Sequence, residues 1–245
     1  MRANISEFPW QVAIKRFDYK KRSNDLSLIK LNETIDFNNK HHYLQPVCLS
    51  SLSNEWTDDN CIATGYGYQD KYGISNNQVL MKVSEPIYDI TYCSLKMRDI
   101  NKDSNICAGG SPQGGTSTCK GDSGGPLQCR SNDGKWYQIG ITSWENCGKN
   151  LRERGNREWG LRIVGGQRSN VWEWPWMVNL NVEVHVSGQY AAIMSCGGTI
   201  VHENWILTAA HCVHSSTDPA LYFAYLGYND LDIKGPDQLR LSVEK

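Results

Sequence analysis

Three short stretches of this 245-residue chain carry side chains suited to nucleophilic chemistry. The run Cys119-Lys120-Gly121-Asp122-Ser123-Gly124-Gly125-Pro126-Leu127 sets a serine among glycines. A serine hydroxyl is a poor nucleophile unless a sharply turned backbone exposes it beside a base, and flanking glycines permit that turn. In Trp205-Ile206-Leu207-Thr208-Ala209-Ala210-His211-Cys212, an apolar stretch and small residues lead to a histidine, the side chain best suited to act as general base near neutral pH. Asn24-Asp25-Leu26-Ser27-Leu28-Ile29-Lys30-Leu31 leads an aspartate into an alternating strand, where a buried carboxylate would orient an imidazole and stabilise its charged form. Each piece has a plainer reading. A serine between glycines also marks a tight turn, and a histidine beside a cysteine is also a packed residue or, with His214, half of a metal pair. The spacing of three between these histidines is only weakly compatible with a metal site, so no metal and no other cofactor is expected.

The elements that must position these groups read as strands. Gln11-Val12-Ala13-Ile14, Trp136 to Thr142 and Met177 to Val186 are rich in β-branched and aromatic residues and are separated by Gly, Asn and Asp. That pattern predicts an all-β fold, a barrel or sandwich. Gly148 to Gly160, full of charged residues, Asn and Gly, reads as a linker. Ser6-Glu7-Phe8-Pro9-Trp10-Gln11-Val12 echoes Val171-Trp172-Glu173-Trp174-Pro175-Trp176-Met177-Val178, aligned on aromatic-Pro-Trp, as though the first strand of one kind of domain occurred twice.

A net charge of −1 with charges spread along the chain gives no reason to expect nucleic acid or an anionic membrane as partner. The basic cluster Lys15 to Arg22 is short and reads as a solvated loop. No apolar run is long enough to span a bilayer, and Met1-Arg2-Ala3-Asn4 lacks the apolar segment of a secretory leader. Nine cysteines nevertheless fit an oxidising, extracellular setting, and the glycosylation acceptors Asn4-Ile5-Ser6 and Asn32-Glu33-Thr34 point the same way. Met1 is therefore expected not to be the natural start of a complete secreted precursor.

Taken together, the serine, histidine and aspartate stretches resemble the trypsin and chymotrypsin family of serine proteases. The resemblance implies Ser123 as nucleophile, His211 as base, Asp25 as its orienter, and the Gly121 and Ser123 amides as an oxyanion hole. It makes Ser143-Trp144 similar to the segment that pairs with the substrate backbone. It also puts Ser117 at the base of the specificity pocket and Glu145 at an entrance usually held open by glycine. A neutral Ser117 argues against cleavage after Lys or Arg. The implied disulfides are Cys196 with Cys212, Cys61 with Cys129, Cys93 with Cys107 and Cys119 with Cys147, leaving Cys48 free or linked to a missing segment. Arg162-Ile163-Val164-Gly165-Gly166 resembles the family's activation junction, where cleavage after Arg162 would free an Ile163 ammonium to pair with Asp122.

The order of the parts is rotated, because the aspartate and serine precede the junction and histidine. The resemblance then implies two packed antiparallel Greek-key β-barrels in circularly permuted order. Residues 1–50 would supply the later part of the first barrel, 51–148 the second barrel, 149–162 a linker ending in the activation site, and 163–245 the front of the first barrel. The repeated aromatic-Pro-Trp segment favours an origin as a slice spanning two units of a tandem polyprotease. After Cys147-Gly148 the sequence lacks the family's closing strand and terminal helix, an absence that would leave open sheet edges. The function implied is a secreted zymogen of a serine endopeptidase working through an acyl-enzyme. Its partners would be protein or peptide substrates, a trypsin-like activating protease and protein protease inhibitors. The alternatives are a catalytically silent homologue that binds partners and a non-functional polyprotease fragment.

Overall fold

A computed structural model describes residues 23–50, 56–69, 78–95, 100–109, 116–143, 166–186, 189–214 and 218–244, with the backbone alone for 56–60, 185–186 and 189–193. Gln11 to Ile14, the Lys15 to Arg22 cluster, the first aromatic-Pro-Trp copy and the linker lie outside these residues. The apolar and β-branched runs form strands β1 (Ser27–Lys30), β2 (Cys48–Leu49), β3 (Trp56–Gly65), β4 (Met81–Ser84), β5 (Ile87–Tyr88), β6 (Cys107–Ala108) and β7 (Pro126–Ser131). They continue as β8 (Trp136–Ile141), β9 (Gln167–Arg168), β10 (Met177–Val186), β11 (Gln189–His202), β12 (Trp205–Thr208), β13 (Tyr222–Leu226) and β14 (Leu239–Ser242). The short helices α1 (Ile90–Ser94) and α2 (Ala210–Val213) and a 3-10 turn at Pro219–Leu221 complete the set among the described residues. Strand β10 has the bounds expected from its residues, and β8 ends one residue short of Thr142. The fold is thus mostly β, as its composition predicts.

The first sheet runs β1-β12-β11-β10-β13-β14. An antiparallel bridge between Leu31 and Val243 joins its two outer strands. Backbone hydrogen bonds from Asn32 N to Ser242 O (3.1 Å) and from Glu244 N to Lys30 O (2.8 Å) flank that bridge. A Lys30–Glu244 ion pair at 2.7 Å lies over it. The sheet therefore curls until its edges meet, the arrangement that removes exposed edge strands. The strand that closes this barrel, β1, is separated in the chain from every other strand it touches.

The second sheet runs β2-β8-β7-β3-β4-β9 and is antiparallel except for β2. That two-residue strand lies parallel to β8, pairing Cys48 with Tyr137 and Leu49 with Gln138. It covers part of the outer edge of β8. At the other edge, β9 pairs Gln167 with Lys82 and Arg168 with Met81. Strands β5 and β6 form a small separate ladder. Disulfides Cys61–Cys129 and Cys93–Cys107 pin this half, and Cys196–Cys212 pins the first barrel. Cys48 is free and exposed.

The two sheets share one apolar core, in which Ile29, Leu44 and Tyr66 pack with Met177, Ile200, Ile206 and Leu226. Threaded through it is a buried polar chain. Trp176 Nε1 donates to Gln128 Oε1 at 2.6 Å, Gln128 Nε2 donates to Thr64 Oγ1 at 3.3 Å, and Thr64 Oγ1 lies 3.3 Å from Met177 Sδ. Gln128 is wholly enclosed, so each of these partners replaces water that it cannot reach. Trp176→Phe leaves Gln128 Oε1 without a donor and opens a void. Urea unfolding monitored by circular dichroism is expected to show a loss of at least about 1–3 kcal/mol. A variant as stable as the parent chain would show that this polar chain does not hold the sheets together.

Candidate active site

The meeting of Asp25 and His211 follows from strand register. Strands β1 and β12 are antiparallel, with Ser27 opposite Thr208 and Leu28 opposite Leu207. Asp25, two residues before Ser27, and His211, three after Thr208, therefore emerge at the same end of the ladder. Asn24 turns the chain into β1 in the left-handed region, at φ 58°, a conformation asparagine tolerates better than most residues. Asp25 Oδ2 lies 2.7 Å from His211 Nδ1, and Oδ1 accepts the His211 backbone N–H at 2.9 Å. The Ser143 hydroxyl donates to Oδ2 at 2.5 Å. The carboxylate is nearly enclosed, at 4 % exposure, while the imidazole is 27 % exposed. Burial works against the charged carboxylate, but the bonds from the His211 ring, the Ser143 hydroxyl and the His211 amide together hold it below its ordinary value. An ionised carboxylate on Nδ1 fixes the proton there and leaves Nε2 as the basic nitrogen.

Ser123 sits in a tight turn in which Asp122 N donates to Cys119 O at 3.0 Å and Gly125 N to Asp122 O at 2.9 Å. Gly121 and Gly124 take φ of +93° and +85°, which side-chain-bearing residues rarely adopt. The turn is pressed onto the first barrel. Gly197 N donates to Ser123 O at 2.7 Å. A Cβ on Gly197 would fall 2.6 Å from Gly125 Cα, and one on Gly124 only 2.2 Å from Thr208 Oγ1. The Cys212 sulfur, held in its disulfide, rests 3.5 Å from the Ser123 carbonyl oxygen. Among the described residues, neither the Gly121 nor the Ser123 amide donates a hydrogen bond.

A circuit of contacts joins these pieces. Gly124 N donates to Thr142 O at 2.7 Å and Thr142 N donates to Gly125 O at 2.8 Å, which fastens the serine turn to the strand end carrying Ser143. Ser143 bonds Asp25, Asp25 bonds His211, and His211 is followed by Cys212, whose sulfur returns to Ser123. The bond from Ser143 to Asp25 has no signal in the sequence, because it spans 118 residues.

Asp122 points away from this circuit into the second sheet and is wholly buried. Its Oδ1 accepts Gly67 N and its Oδ2 accepts Cys119 N, both at 2.8 Å. Burial pushes its carboxyl up to about 6 despite these two bonds. Glycine is required around it, since a Cβ on Gly65 would fall 2.0 Å from Asp122 Oδ1 and one on Gly67 2.5 Å from its carboxyl carbon. Ser117 donates its hydroxyl to Thr118 O at 2.8 Å. Cys119 is disulfide-bonded. Trp144, Glu145, Cys147, Arg162 and Ile163 lie outside the described residues. Cys196, His211 and Cys212 bring potential ligand atoms within 4.8 Å of one another. Both sulfurs, however, are joined to each other, and a disulfide supplies no thiolate for a metal.

Comparison with known proteins gives the same family as these motifs. Human testisin is 38 % identical over 134 residues, which cover 51 % of this chain and 41 % of testisin. Trypsin-1 of Astacus astacus is 40 % identical over 131 residues, covering 53 % of this chain and 52 % of that protein. Human serine protease 41 is 37 % identical over 135 residues, covering 51 % and 41 %. In these matches the chain spans about half the length of its relatives or less. The Trypsin family model matches in two blocks, residues 2–155 and 163–245, and so covers nearly the whole sequence: the chain belongs to the trypsin family.

Proposed function

We propose that the protein is a serine endopeptidase whose catalytic groups are Ser123, His211 and Asp25. The observation that carries this reading is the Asp25–His211 pair, bonded through both the ring and the backbone, beside a glycine-turned serine. Ser123 Oγ attacks the scissile carbonyl carbon while His211 Nε2 takes the hydroxyl proton, and Asp25 stabilises the imidazolium that results. The developing oxyanion is received by the Gly121 and Ser123 amides. His211 then returns the proton to the leaving amine, giving an acyl-enzyme that water, deprotonated by the same nitrogen, hydrolyses. Protein and peptide substrates suit this chemistry, and protein protease inhibitors would occupy the same site.

The rotated order works because the structural halves are complementary. Strand β1 belongs to the part of the chain before the junction and completes a barrel built from the part after it. A permuted domain, cut from a tandem array, accounts for this order and for the repeated aromatic-Pro-Trp segment. Secretion is consistent with the disulfides. Among the described residues, no helix is long and apolar enough to cross a membrane.

Asp122 supports a zymogen. Among the described residues this buried carboxylate is held by two amides, so it gains from a cation, and an Ile163 ammonium freed by cleavage after Arg162 is one the sequence offers.

Two experiments follow. A fluorophosphonate is expected to label Ser123 after controlled cleavage at Arg162, with labelling lost in His211→Ala; absence of label in both the cut and uncut chain would exclude the endopeptidase. The second reads stability against pH. In the uncut chain the Asp122 value lies above the unfolded 3.8, so its contribution is full below 3.8 and is lost as pH rises through about 6. Pairing with a new ammonium reverses that sign, so calorimetry should show this decline in the uncut chain and not in the cut one. Identical profiles would count against the ion pair.

A further inference from the structure

The triplet Asn32-Glu33-Thr34 is a motif that the chemistry above leaves unused, and the fold presents it on a fixed platform. It follows β1 at the point where the first barrel closes. Leu31 and Ile35, on either side of it, are enclosed at 2 % and 0 % exposure, whereas all three residues of the triplet are exposed. The backbone around it is pinned. Leu31 N donates to Asn204 O at 2.9 Å, Asn32 N to Ser242 O at 3.1 Å and Ile35 N to Glu203 O at 2.7 Å. Two buried aliphatic anchors and three backbone bonds thus hold a bend whose side chains are open to solvent. Among the described residues, neither the Asn32 amide group nor the Thr34 hydroxyl makes a hydrogen bond. Asn38 and Asn39 are exposed as well, but neither has a serine or threonine two positions on. The other triplet of this kind, Asn4-Ile5-Ser6, lies outside the described residues.

We propose that Asn32 is a modification site that carries an N-linked oligosaccharide, attached in the secretory route that the disulfides favour. The site stands whether or not Ser123 is reactive. The sugar donor is a lipid-linked oligosaccharide diphosphate. Asn32 Nδ2 bonds to the anomeric carbon of the first sugar as that carbon's bond to the diphosphate oxygen breaks. The lipid diphosphate leaves with the electron pair, and Nδ2 gives up one proton. Thr34 supplies the hydroxyl that such a transferase reads, and Glu33 between them is not the proline that would bar the triplet.

A glycan is a bulky hydrophilic body and needs a surface that is neither core nor catalytic site. Asn32 and Asp25 lie beyond opposite ends of β1, seven residues apart, and a strand rise of about 3.3 Å per residue separates them by roughly 20 Å. The attachment point is therefore remote from the Asp25–His211 pair and sits beside the seam where Leu31 meets Val243. The sugar chain shields this rim of the first barrel and leaves the pair uncovered.

The test sends the full chain through the secretory pathway of insect cells behind an added leader. Chain is collected from the microsomal lumen as well as from the medium, so that a variant that fails to leave the cell is still scored. N-glycans are removed with an amidase in heavy-oxygen water, which leaves a heavy-oxygen aspartate wherever a glycan stood, and the tryptic peptide Leu31 to Lys40 is sequenced by mass spectrometry. The mark is expected at Asn32 in most molecules, with Asn38 and Asn39 of the same peptide unmarked. Asn32→Gln and Thr34→Ala should each remove one glycan's worth of mass on electrophoresis, while Thr34→Ser, which keeps the hydroxyl, should retain it. An unmarked Asn32 in the parent chain overturns the proposal. So does a mass unchanged in both Asn32→Gln and Thr34→Ala, which would assign any glycan to Asn4 instead.

Discussion

The pairing of β1 with β12 is the constraint on which the rest of the site depends. A shift of this register by one residue would turn every side chain of the short strand to the opposite face and carry Asp25 away from the His211 helix. With the register fixed, one carboxylate receives both a backbone and a ring hydrogen bond from a single histidine. The imidazole is thus oriented by two anchors that cannot rotate independently. Orientation of this kind costs little at the moment of reaction, because the fold has already fixed it.

Close backbone contact does for the serine what hydrogen bonding does for the histidine. Gly125 and Gly197 meet with no room for a side chain on Gly197, so the turn carrying Ser123 rests directly on β11 of the other barrel. The same turn is stitched to Thr142, next to the serine that bonds Asp25. Groups drawn from four separate stretches of chain are in this way tied into one ring of short contacts. Behind the ring, charge is arranged in the opposite manner. Glu85 and Asp122 are both buried and lie close enough to raise the value of Glu85, and consecutive amides hold them. The front of the loop is organised by a hydrogen-bonded, ionised carboxylate and its back by two enclosed carboxyl groups whose charged forms burial disfavours.

What was legible in the sequence was local. The glycines around Ser123, the apolar run before His211 and the alternation after Asp25 are each written within about ten residues, because turn and strand chemistry act at that range. The bounds of β10 were legible for the same reason. Long-range relations were not. Ser143 as a support for Asp25, the parallel pairing of β2 with β8, and β9 on the edge of β4 depend on segments that meet only after folding. Glu85 was hidden by its type: a glutamate after a strand and before a proline reads as solvated surface, and only its seat against Thr118 and Gly109 reveals otherwise.

The bridge between Leu31 and Val243 also bears on how the protein is made. Asp25 and His211 stand 186 residues apart. At roughly 5–20 residues per second of synthesis, β1 waits on the order of ten seconds or more before its partner strand exists. During that interval a strand with unpaired backbone groups is available to any other strand edge nearby. Contacts of such long range also fold slowly once the chain is complete. The hazard of misassembly is therefore set by the pace of translation and by what shelters β1 meanwhile, and is separate from the stability of the finished barrel.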